Sequence, residues 1–159
     1  MSGNDTVAVL RAEIEHSLAV LTRIEQFYEQ MRSAPGEVES HTPERGIIIA
    51  EILANYYTAL ETIFLRISQY FENHLATDRW HSDLLDRMLL SIPGVRPRVL
   101  SDPSHQALRE LMRFRHFKRY YLEFDYDWDR LEFLCKKMDQ VHAPVRTEIE
   151  AFLHLLAAL

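Results

Sequence analysis

Hydrophobic side chains recur every three or four positions along most of this chain, which is the spacing that places them on one face of an α-helix. The first such stripe spans residues 7–31 and follows a short polar start signal. A second and wider stripe, rich in aromatic residues, predicts a helix from about Pro43 or Glu44 to His74. Between the two, residues 33–46 carry prolines, glycines and polar side chains, so this interval is predicted to be a loop.

The second stripe is wide enough to predict contacts on more than one side of its helix. Its members are Leu53, Tyr56, Tyr57, Leu60, Ile63, Phe64, Ile67, Tyr70 and Phe71. Because the stripe is wide, we expect part of this aromatic surplus to be exposed on the monomer. An exposed apolar patch of this kind marks an interaction surface. A homodimer is therefore the predicted assembly.

Three further helices are predicted in the second half of the chain. Thr77 and Asp78 can cap a third helix that ends at about Leu90. Residues 91–104 contain three prolines and a glycine, which interrupt helical structure.

The last two helices flank a short connector that is rich in acidic residues. Asp102 or Ser104 can cap the fourth helix, which is predicted to end at about Leu122. The fifth helix is predicted to run from about Tyr126 to Leu159. No convincing strand pairing accompanies these helices, so the chain is predicted to be an all-α antiparallel bundle of about five helices.

Length and composition agree with one ordinary globular domain over residues 1–159. The formal net charge is −6, and hydrophobic residues make up 47% of the chain. The first residues carry charges where a signal peptide requires an apolar core. No uninterrupted apolar run reaches the roughly 18 residues that suggest a membrane span. We therefore expect a cytoplasmic protein that makes no membrane contact.

The residue types that usually hold metals or cofactors do not form a recognisable pattern. Cys135 is the single cysteine, which excludes an internal disulfide and a zinc site of several cysteines. It lies within an apolar stripe, so a core position is favoured over a nucleophile. The histidines do not take metal-ligand spacing, and glycine-rich phosphate loops and serine nucleophile elbows are missing. We expect neither a metal nor a cofactor.

The fourth helix concentrates positive charge within an acidic chain. Its cationic residues are Arg109, Arg113, Arg115, His116, Lys118 and Arg119. Arginine suits phosphate because its planar fork donates two hydrogen bonds, and histidine can move a proton. An arginine and a histidine one or two turns apart can therefore hold and cleave a phosphodiester. On spacing alone, however, the favoured interpretation is a solvated basic face paired with the acidic connector at Glu123, Asp125, Asp127 and Asp129.

His81, which follows Trp80 on the third helix, also has two interpretations. It can contact a ligand, or it can be a structural histidine near the core. The structural interpretation is favoured.

Four segments, in order, resemble the HepT-like branch of the HEPN superfamily. These are NYYTALETIFLRI at 55–67, RWHSDLLDRM at 79–88, IPGVRPRVLS at 92–101 and RFRHFKRYYLEFDYDWDRL at 113–131. The resemblance extends from roughly Glu51 to Leu153. Members of that branch are small all-helical proteins encoded beside a minimal nucleotidyltransferase. They are described as ribonuclease toxins that the nucleotidyltransferase neutralises.

The resemblance implies a site on the fourth helix. The family signature is an arginine, four to six residues, a histidine, one residue and a tyrosine, which in this branch reads roughly Phe-Arg-His-x-x-Arg-His-x-Tyr. Arg115, His116 and Arg119 match that pattern, whereas the signature histidine falls on Tyr120 and the signature tyrosine falls on Leu122. A looser match pairs Arg109 with His116, and Tyr121 stands next to the lost tyrosine.

On this basis the catalytic candidates are Arg115, His116 and Tyr120, and the candidates for binding RNA or phosphate are Arg109, Arg113 and Arg119. The resemblance further implies a homodimer that places two copies of this helix along one basic cleft.

Three functional hypotheses follow. The first is the toxin-side component of a toxin–antitoxin pair with a minimal nucleotidyltransferase, acting as a metal-independent ribonuclease. The second is a catalytically inactive protein that binds the nucleotidyltransferase, a nucleotide or RNA. The third is a helical scaffold with no nucleotide link. A minimal nucleotidyltransferase encoded next to this chain would favour the first two, and RNA cleavage by the purified protein would separate them.

Overall fold

The structure, a computed structural model, describes residues 3–33, 41–72 and 80–158. Five helices make up most of these ranges: α1 at Gly3–Ser33, α2 at Pro43–Phe71, α3 at Trp80–Arg87, α4 at Asp102–Tyr120 and α5 at Trp128–Leu156. Over the described ranges, the only β-type pairing is an isolated bridge between Ile92 and Arg96. The predicted all-α helical bundle is confirmed.

The central element is α2, which contacts each of the other four helices. Its aromatic residues Tyr56, Tyr57 and Phe64 are fully buried inside the chain. The predicted contacts on more than one side of α2 are present, but they come from four neighbouring helices within the chain, which cover most of the wide stripe. Only Tyr70 at its C-terminal end is clearly exposed. A homodimer remains a prediction, but this stripe no longer supports it.

The same central position explains the apolar character of α2. By length and composition alone, α2 is the one helix in the described part of the chain that could cross a membrane. However, 61% of its most apolar window is buried against the rest of the protein. This pattern is that of a core helix.

The start of α2 agrees with the prediction, whereas other helix boundaries differ from the predicted ones by a few residues. Helix α2 begins at Pro43, where the Thr42 hydroxyl caps it by accepting a hydrogen bond from the Arg45 N–H at 3.3 Å. Helix α3 ends at Arg87 rather than at Leu90. Beyond that end, the Met88 carbonyl oxygen accepts hydrogen bonds from the backbone N–H groups of Val99 and Leu100. In a longer helix, this oxygen would accept from an N–H of the next helical turn. The predicted caps at Thr77 and Asp78 and the predicted helix end at His74 lie outside the described residues.

Helix α4 starts one residue after its cap, which is Ser101 rather than Asp102 or Ser104. The Ser101 hydroxyl accepts a hydrogen bond from the Ser104 N–H at 3.4 Å. The hydroxyl of Ser104 donates to Glu148 at 2.6 Å, which fastens the start of α4 to α5. Helix α4 ends at Tyr120, two residues before the predicted end, and Asp127 caps α5.

The segment between α3 and α4 is organised around one buried arginine. The Arg96 guanidinium donates to Glu72 at the end of α2 and to the carbonyl oxygens of Arg87, Leu90 and Pro97. The turn that leads to it passes through Gly94, whose φ of 73° is one that residues with a side chain rarely adopt. This turn fixes the start of α4 relative to α3. It thereby sets the relative position of the two helices that form the candidate site.

Candidate functional site

The second half of α4 and the first turn of α3 enclose a groove of about 710 Å³. Its lining residues are His81, Ser82, Met112, Arg113, Arg115, His116, Phe117, Arg119, Tyr120 and Tyr121. Five of these ten lining side chains are arginine or histidine, and four are aromatic or methionine. The groove therefore combines positive charge with apolar and aromatic surface.

At the inner wall of the groove, Arg115 is paired with Glu61 of α2. The two terminal nitrogens Nη1 and Nη2 of Arg115 donate to the two carboxylate oxygens of Glu61, each at 2.8 Å. Nη1 also donates to the Thr58 hydroxyl at 3.3 Å. The Glu61 side chain is only 8% exposed and that of Arg115 is 15% exposed. This two-point geometry is the strongest form of an arginine–carboxylate pair, and it fixes the orientation of the guanidinium.

Below this pair lies the ring of Tyr57. The guanidinium carbon of Arg115 is 4.9 Å from the centroid of the ring, within the range of a cation–π contact. Burial, together with the negative charge of Glu61, raises the pKa of the Tyr57 phenol above its ordinary value. The phenol therefore stays protonated at neutral pH, and Tyr57 serves as an uncharged support beneath Arg115.

The third member of this cluster is His81 of α3. Its Nδ1 atom lies 3.0 Å from both carboxylate oxygens of Glu61 and 3.1 Å from Nη2 of Arg115. The His81 side chain is 32% exposed, so the imidazole reaches the surface of the groove while its Nδ1 side faces the buried carboxylate. The favoured sequence interpretation, a structural histidine near the core, accounts for the contact with Glu61. It does not account for the exposure of the imidazole in the groove.

His116, Tyr120 and Arg119 lie on the outer side of the groove. The rings of His116 and Tyr120 meet edge to face, with centroids 5.3 Å apart. Among the described residues, no carboxylate forms an ion pair with His116 or Arg119. Arg113 lies beside them and has only an exposed contact with Glu110 at 3.5 Å. The outer side thus presents cationic groups that the rest of the described chain leaves largely unneutralised.

Two basic residues of α4 lie away from this groove. Arg109 points to Asp86, at 3.3 Å, where His105 also contacts the carboxylate. Lys118 pairs with Glu51 of α2 at 2.7 Å. Of the predicted site residues, the structure therefore brings together Arg113, Arg115, His116, Arg119 and Tyr120, and it leaves Arg109 outside.

The alternative interpretation paired the basic face with the acidic connector that follows it. In the described part of the chain, the basic residues of α4 pair instead with Asp86, Glu51 and Glu61 on other elements and with Glu110 within α4. The connector is held in another way: the Tyr121 hydroxyl donates to the Asp125 carbonyl oxygen at 2.6 Å.

The two positions that depart from the family signature are strongly exposed. Tyr120, in the last turn of α4, is 69% exposed, and Leu122, beyond the helix end, is 84% exposed. Tyr121 lies between them and stacks on Phe117, with ring centroids 4.9 Å apart. Neither Tyr120 nor Leu122 contributes to the core, so the fold itself does not require these residue types.

Sequence reasoning missed Glu61, although it supplies the anchor of the site. Glu61 lies 54 positions before Arg115 and 20 positions before His81, so no local spacing connects the three. The one available signal was a charged residue within the apolar stripe of α2, flanked by Leu60 and Ile63. A carboxylate in such a stripe requires a cationic or hydrogen-bonding partner.

The histidine, cysteine and acidic side chains of the described residues form no group of three that could hold a metal ion. The side chains in the groove that can bind a ligand or move a proton include arginine, histidine and tyrosine. Such groups can bind phosphate, stack on bases and transfer protons.

Comparison with known proteins gives one match. A family model described as HepT-like protein matches residues 48–156. This range covers most of α2 and all of α3, α4 and α5, and it includes every residue that lines the groove as well as Glu61. Neither a curated protein nor a solved structure matches the chain.

Proposed function

Because this chain belongs to the HepT-like family, we propose that it is the toxin-side component of a toxin–antitoxin pair whose second member is a minimal nucleotidyltransferase. Its α4 groove is the RNA-binding cleft, and the chemistry there is metal-independent phosphodiester cleavage of low activity. The protein works in the cytoplasm, as a homodimer, and needs no cofactor.

One observation carries this proposal: Arg113, His116 and Arg119 share a groove with exposed aromatic rings. Cations without buried partners attract a phosphate backbone, and aromatic rings offer a surface on which bases stack. A purely anionic ligand would contact only the basic side chains of the groove, and a purely apolar ligand would contact only its rings. RNA has a phosphate backbone for the basic side chains and bases for the rings, so it is the ligand that fits the groove best.

Arg115 has a different role from its neighbours in this proposal. Glu61 occupies both of its terminal nitrogens, so the pair is nearly neutral as a unit. Arg115 therefore shapes the inner wall, while Arg113 and Arg119 supply most of the positive charge that a phosphate meets. A phosphate that displaced Glu61 would leave a buried carboxylate unpaired, at a cost of several kcal/mol.

Low activity follows from the residue at position 120. Tyrosine has an unperturbed pKa of about 10, so its phenol is a poor base at neutral pH. The position where the family signature has a histidine therefore supplies no efficient proton transfer. Leu122 likewise lacks the hydroxyl of the tyrosine that the family signature has at that position.

A second candidate is a protein that binds RNA or its nucleotidyltransferase partner without cleaving RNA. The observation that favours it is the pair of exposed substitutions, Tyr120 and Leu122, which the fold does not require. Under this alternative the groove and the predicted dimer persist, and only the chemistry is lost.

The first experiment is expression of the protein alone and together with the gene next to its own. The proposal expects slowed growth and altered RNA only when the protein is expressed alone. Normal growth and intact RNA in both cultures would contradict a toxin-side role. Light scattering of the purified protein at micromolar concentration tests the homodimer, and a monomer there would contradict it.

The second experiment measures binding and cleavage separately. A fluorescent RNA oligonucleotide is titrated with purified protein, and product formation is followed on the same RNA. Binding with cleavage supports the ribonuclease, binding without cleavage supports the second candidate, and no binding contradicts both.

A further inference from the structure

We infer that His81 of α3, rather than His116 of the signature helix, is the proton-transfer residue of the groove. This inference rests on the proposed function, since it names the group that performs the remaining cleavage. It concerns a residue outside the family signature, and the contacts of the folded chain alone bring it to the site.

The first step is the position of the imidazole. His81 lines the same groove as the cationic residues of α4, and its side chain is partly exposed there. Helix α3 contacts both α2 and α4, so His81 lies where a residue of α3 can meet Glu61 and Arg115 together. A ligand held by Arg113 and Arg119 is therefore within the cleft that His81 borders.

The second step is orientation. A histidine can act as a general base only when one ring nitrogen carries a lone pair directed to the substrate. Nδ1 of His81 lies 3.0 Å from each carboxylate oxygen of Glu61. When Nδ1–H donates to this carboxylate, Nε2 is the nitrogen that carries the lone pair. Glu61 is itself fixed by two hydrogen bonds from Arg115, so the histidine is held by a rigid support.

The third step is the comparison with His116. That residue is exposed, and its recorded ring contact is with Tyr120, which is also exposed. Within the described residues it has no carboxylate partner to select a tautomer or to fix the ring. His116 is therefore suited to attract phosphate, whereas His81 has the fixed geometry that proton transfer needs.

Glu61 of α2 is the carboxylate that contacts both His81 and Arg115, and three arginines, Arg113, Arg115 and Arg119, line the cleft that His81 borders. The guanidinium groups of these arginines carry a permanent positive charge. They favour the negative charge that develops on the phosphoryl oxygens during cleavage.

The chemical step is an internal transesterification of RNA. Nε2 of His81 takes the proton of a ribose 2′-hydroxyl, and the 2′-oxygen forms a bond to phosphorus. The bond from phosphorus to the 5′-oxygen breaks, and that oxygen takes a proton from water. The products are a 2′,3′-cyclic phosphate and a free 5′-hydroxyl, and His81 returns its proton to solvent. No metal, oxidant or reductant takes part.

The test compares His81→Asn with His116→Asn, using an RNA oligonucleotide that carries a fluorophore and a quencher. The asparagine amide at position 81 can still donate to Glu61 in place of Nδ1, so the variant keeps the contact and loses the base. We expect His81→Asn to lower the cleavage rate by about 100-fold or more and to leave the dissociation constant for RNA within about twofold. Because His116 belongs to the phosphate-binding side of the groove, we expect His116→Asn to raise the dissociation constant for RNA but to keep most of the cleavage rate that is measured at saturating RNA.

A second variant separates chemistry from structure. In His81→Gly, added imidazole should restore part of the cleavage, and the restored rate should rise with imidazole concentration. Imidazole should not change the rate of His116→Asn. Mass spectrometry should find the 2′,3′-cyclic phosphate, and an oligonucleotide of the same sequence with 2′-deoxyribose should remain intact.

Four results would overturn the inference. Full cleavage by His81→Asn would do so, and so would loss of cleavage in His116→Asn with retention in His81→Asn. RNA binding by the unmodified protein without any cleavage would overturn it and leave the second candidate function in place. Absence of RNA binding would overturn the proposed function itself, and this inference with it.

Discussion

Two carboxylates, Glu61 within α2 and Glu72 directly after its last residue, are buried to nearly the same extent, with 8% and 7% of their side chains exposed. Each pairs with an arginine from a distant segment of the chain. They differ in what surrounds the arginine. At Glu72 the central arginine, Arg96, is enclosed by backbone, whereas at Glu61 both Arg115 and His81 border the groove.

The Glu72 cluster consists of Glu72, Ser68, Arg87 and Arg96. The side chain of Arg96 has no exposed area, and its nitrogens donate to Glu72 and to three carbonyl oxygens. Burial alone would raise the pKa of Glu72, but hydrogen bonds from Ser68 and Arg96 and the charges of Arg96 and Arg87 outweigh it and hold the pKa below its ordinary value. Arg96 faces only other parts of the protein, whereas the side chain of Arg87 is 29% exposed at the edge of the cluster.

The Glu61 cluster consists of Glu61, Arg115 and His81. It uses the same carboxylate–arginine pairing, yet its histidine and part of its arginine remain accessible. The comparison teaches that a buried ion pair does not define a function by itself. The enclosed pair of Glu72 and Arg96 holds two segments of the chain together. The pair of Glu61 and Arg115 lies beside a groove, where it orients His81, which can contact a ligand there. Substitutions should therefore reduce stability at the first cluster and chemistry at the second.

The largest expected effect is on stability at the Glu72 cluster. Replacing Arg96 by methionine removes the donor of one Glu72 carboxylate oxygen and of three carbonyl oxygens, while Ser68 and Arg87 still donate to the other carboxylate oxygen. We expect the free energy of unfolding to fall by about 3–5 kcal/mol. Chemical denaturation followed by circular dichroism measures this loss. The control is Arg98→Met, whose exposed pair with Asp102 should contribute at most about 1 kcal/mol. Equal losses for the two variants would contradict the role assigned to Arg96.

The next effect is a gain of chemistry beside the Glu61 cluster. The double substitution Tyr120→His with Leu122→Tyr restores the residue types of the family signature at two exposed positions. We expect RNA cleavage to rise by about tenfold or more, because histidine is a far better proton carrier than tyrosine at neutral pH. The free energy of unfolding should be nearly unchanged. A stable double variant with no increase in cleavage would show that these positions do not limit the reaction.

A smaller effect is expected for binding at the outer side of the groove. Replacing Arg113 and Arg119 by glutamine removes two cations, so the slope of log affinity against log salt should become shallower by about 1.4 for single-stranded RNA. Affinity at moderate salt should fall by roughly tenfold.

The matched control is the double variant Arg66→Gln with Lys136→Gln, which removes the same charge from α2 and α5, away from the groove. An equal change of slope in both double variants would mean that the groove has no special part in binding.

The smallest effect concerns pH. Because the pKa of Glu72 is lower in the folded protein than its ordinary value of 4.5, its carboxylate contributes stability that is fully present above about pH 4.5. This contribution is lost as the pH falls through the folded-state pKa. The difference in unfolding free energy between the unmodified protein and Glu72→Gln should therefore shrink below pH 4.5. A difference that stayed constant down to the acid limit of folding would contradict the assignment.

Sequence alone predicted the helices well, because a helical stripe is a local pattern. The boundaries were less accurate, since caps such as Ser101 and the early end of α3 depend on contacts with Glu148 and Val99. The basic residues of the groove were found because they lie within one segment of α4. Glu61 and His81 were not predicted as site residues, because only the packing of α2, α3 and α4 brings them to Arg115.

The measurement that bears most directly on the groove as the RNA site is photocrosslinking. RNA that contains 4-thiouridine is bound to the purified protein, irradiated and digested, and the crosslinked peptides are identified by mass spectrometry. Crosslinks should concentrate at Phe117, Tyr120 and Tyr121 on α4, with further crosslinks in the first turn of α3. Crosslinks confined to α1 or α5, with the α4 peptides unmodified, would contradict the assignment of this groove to RNA.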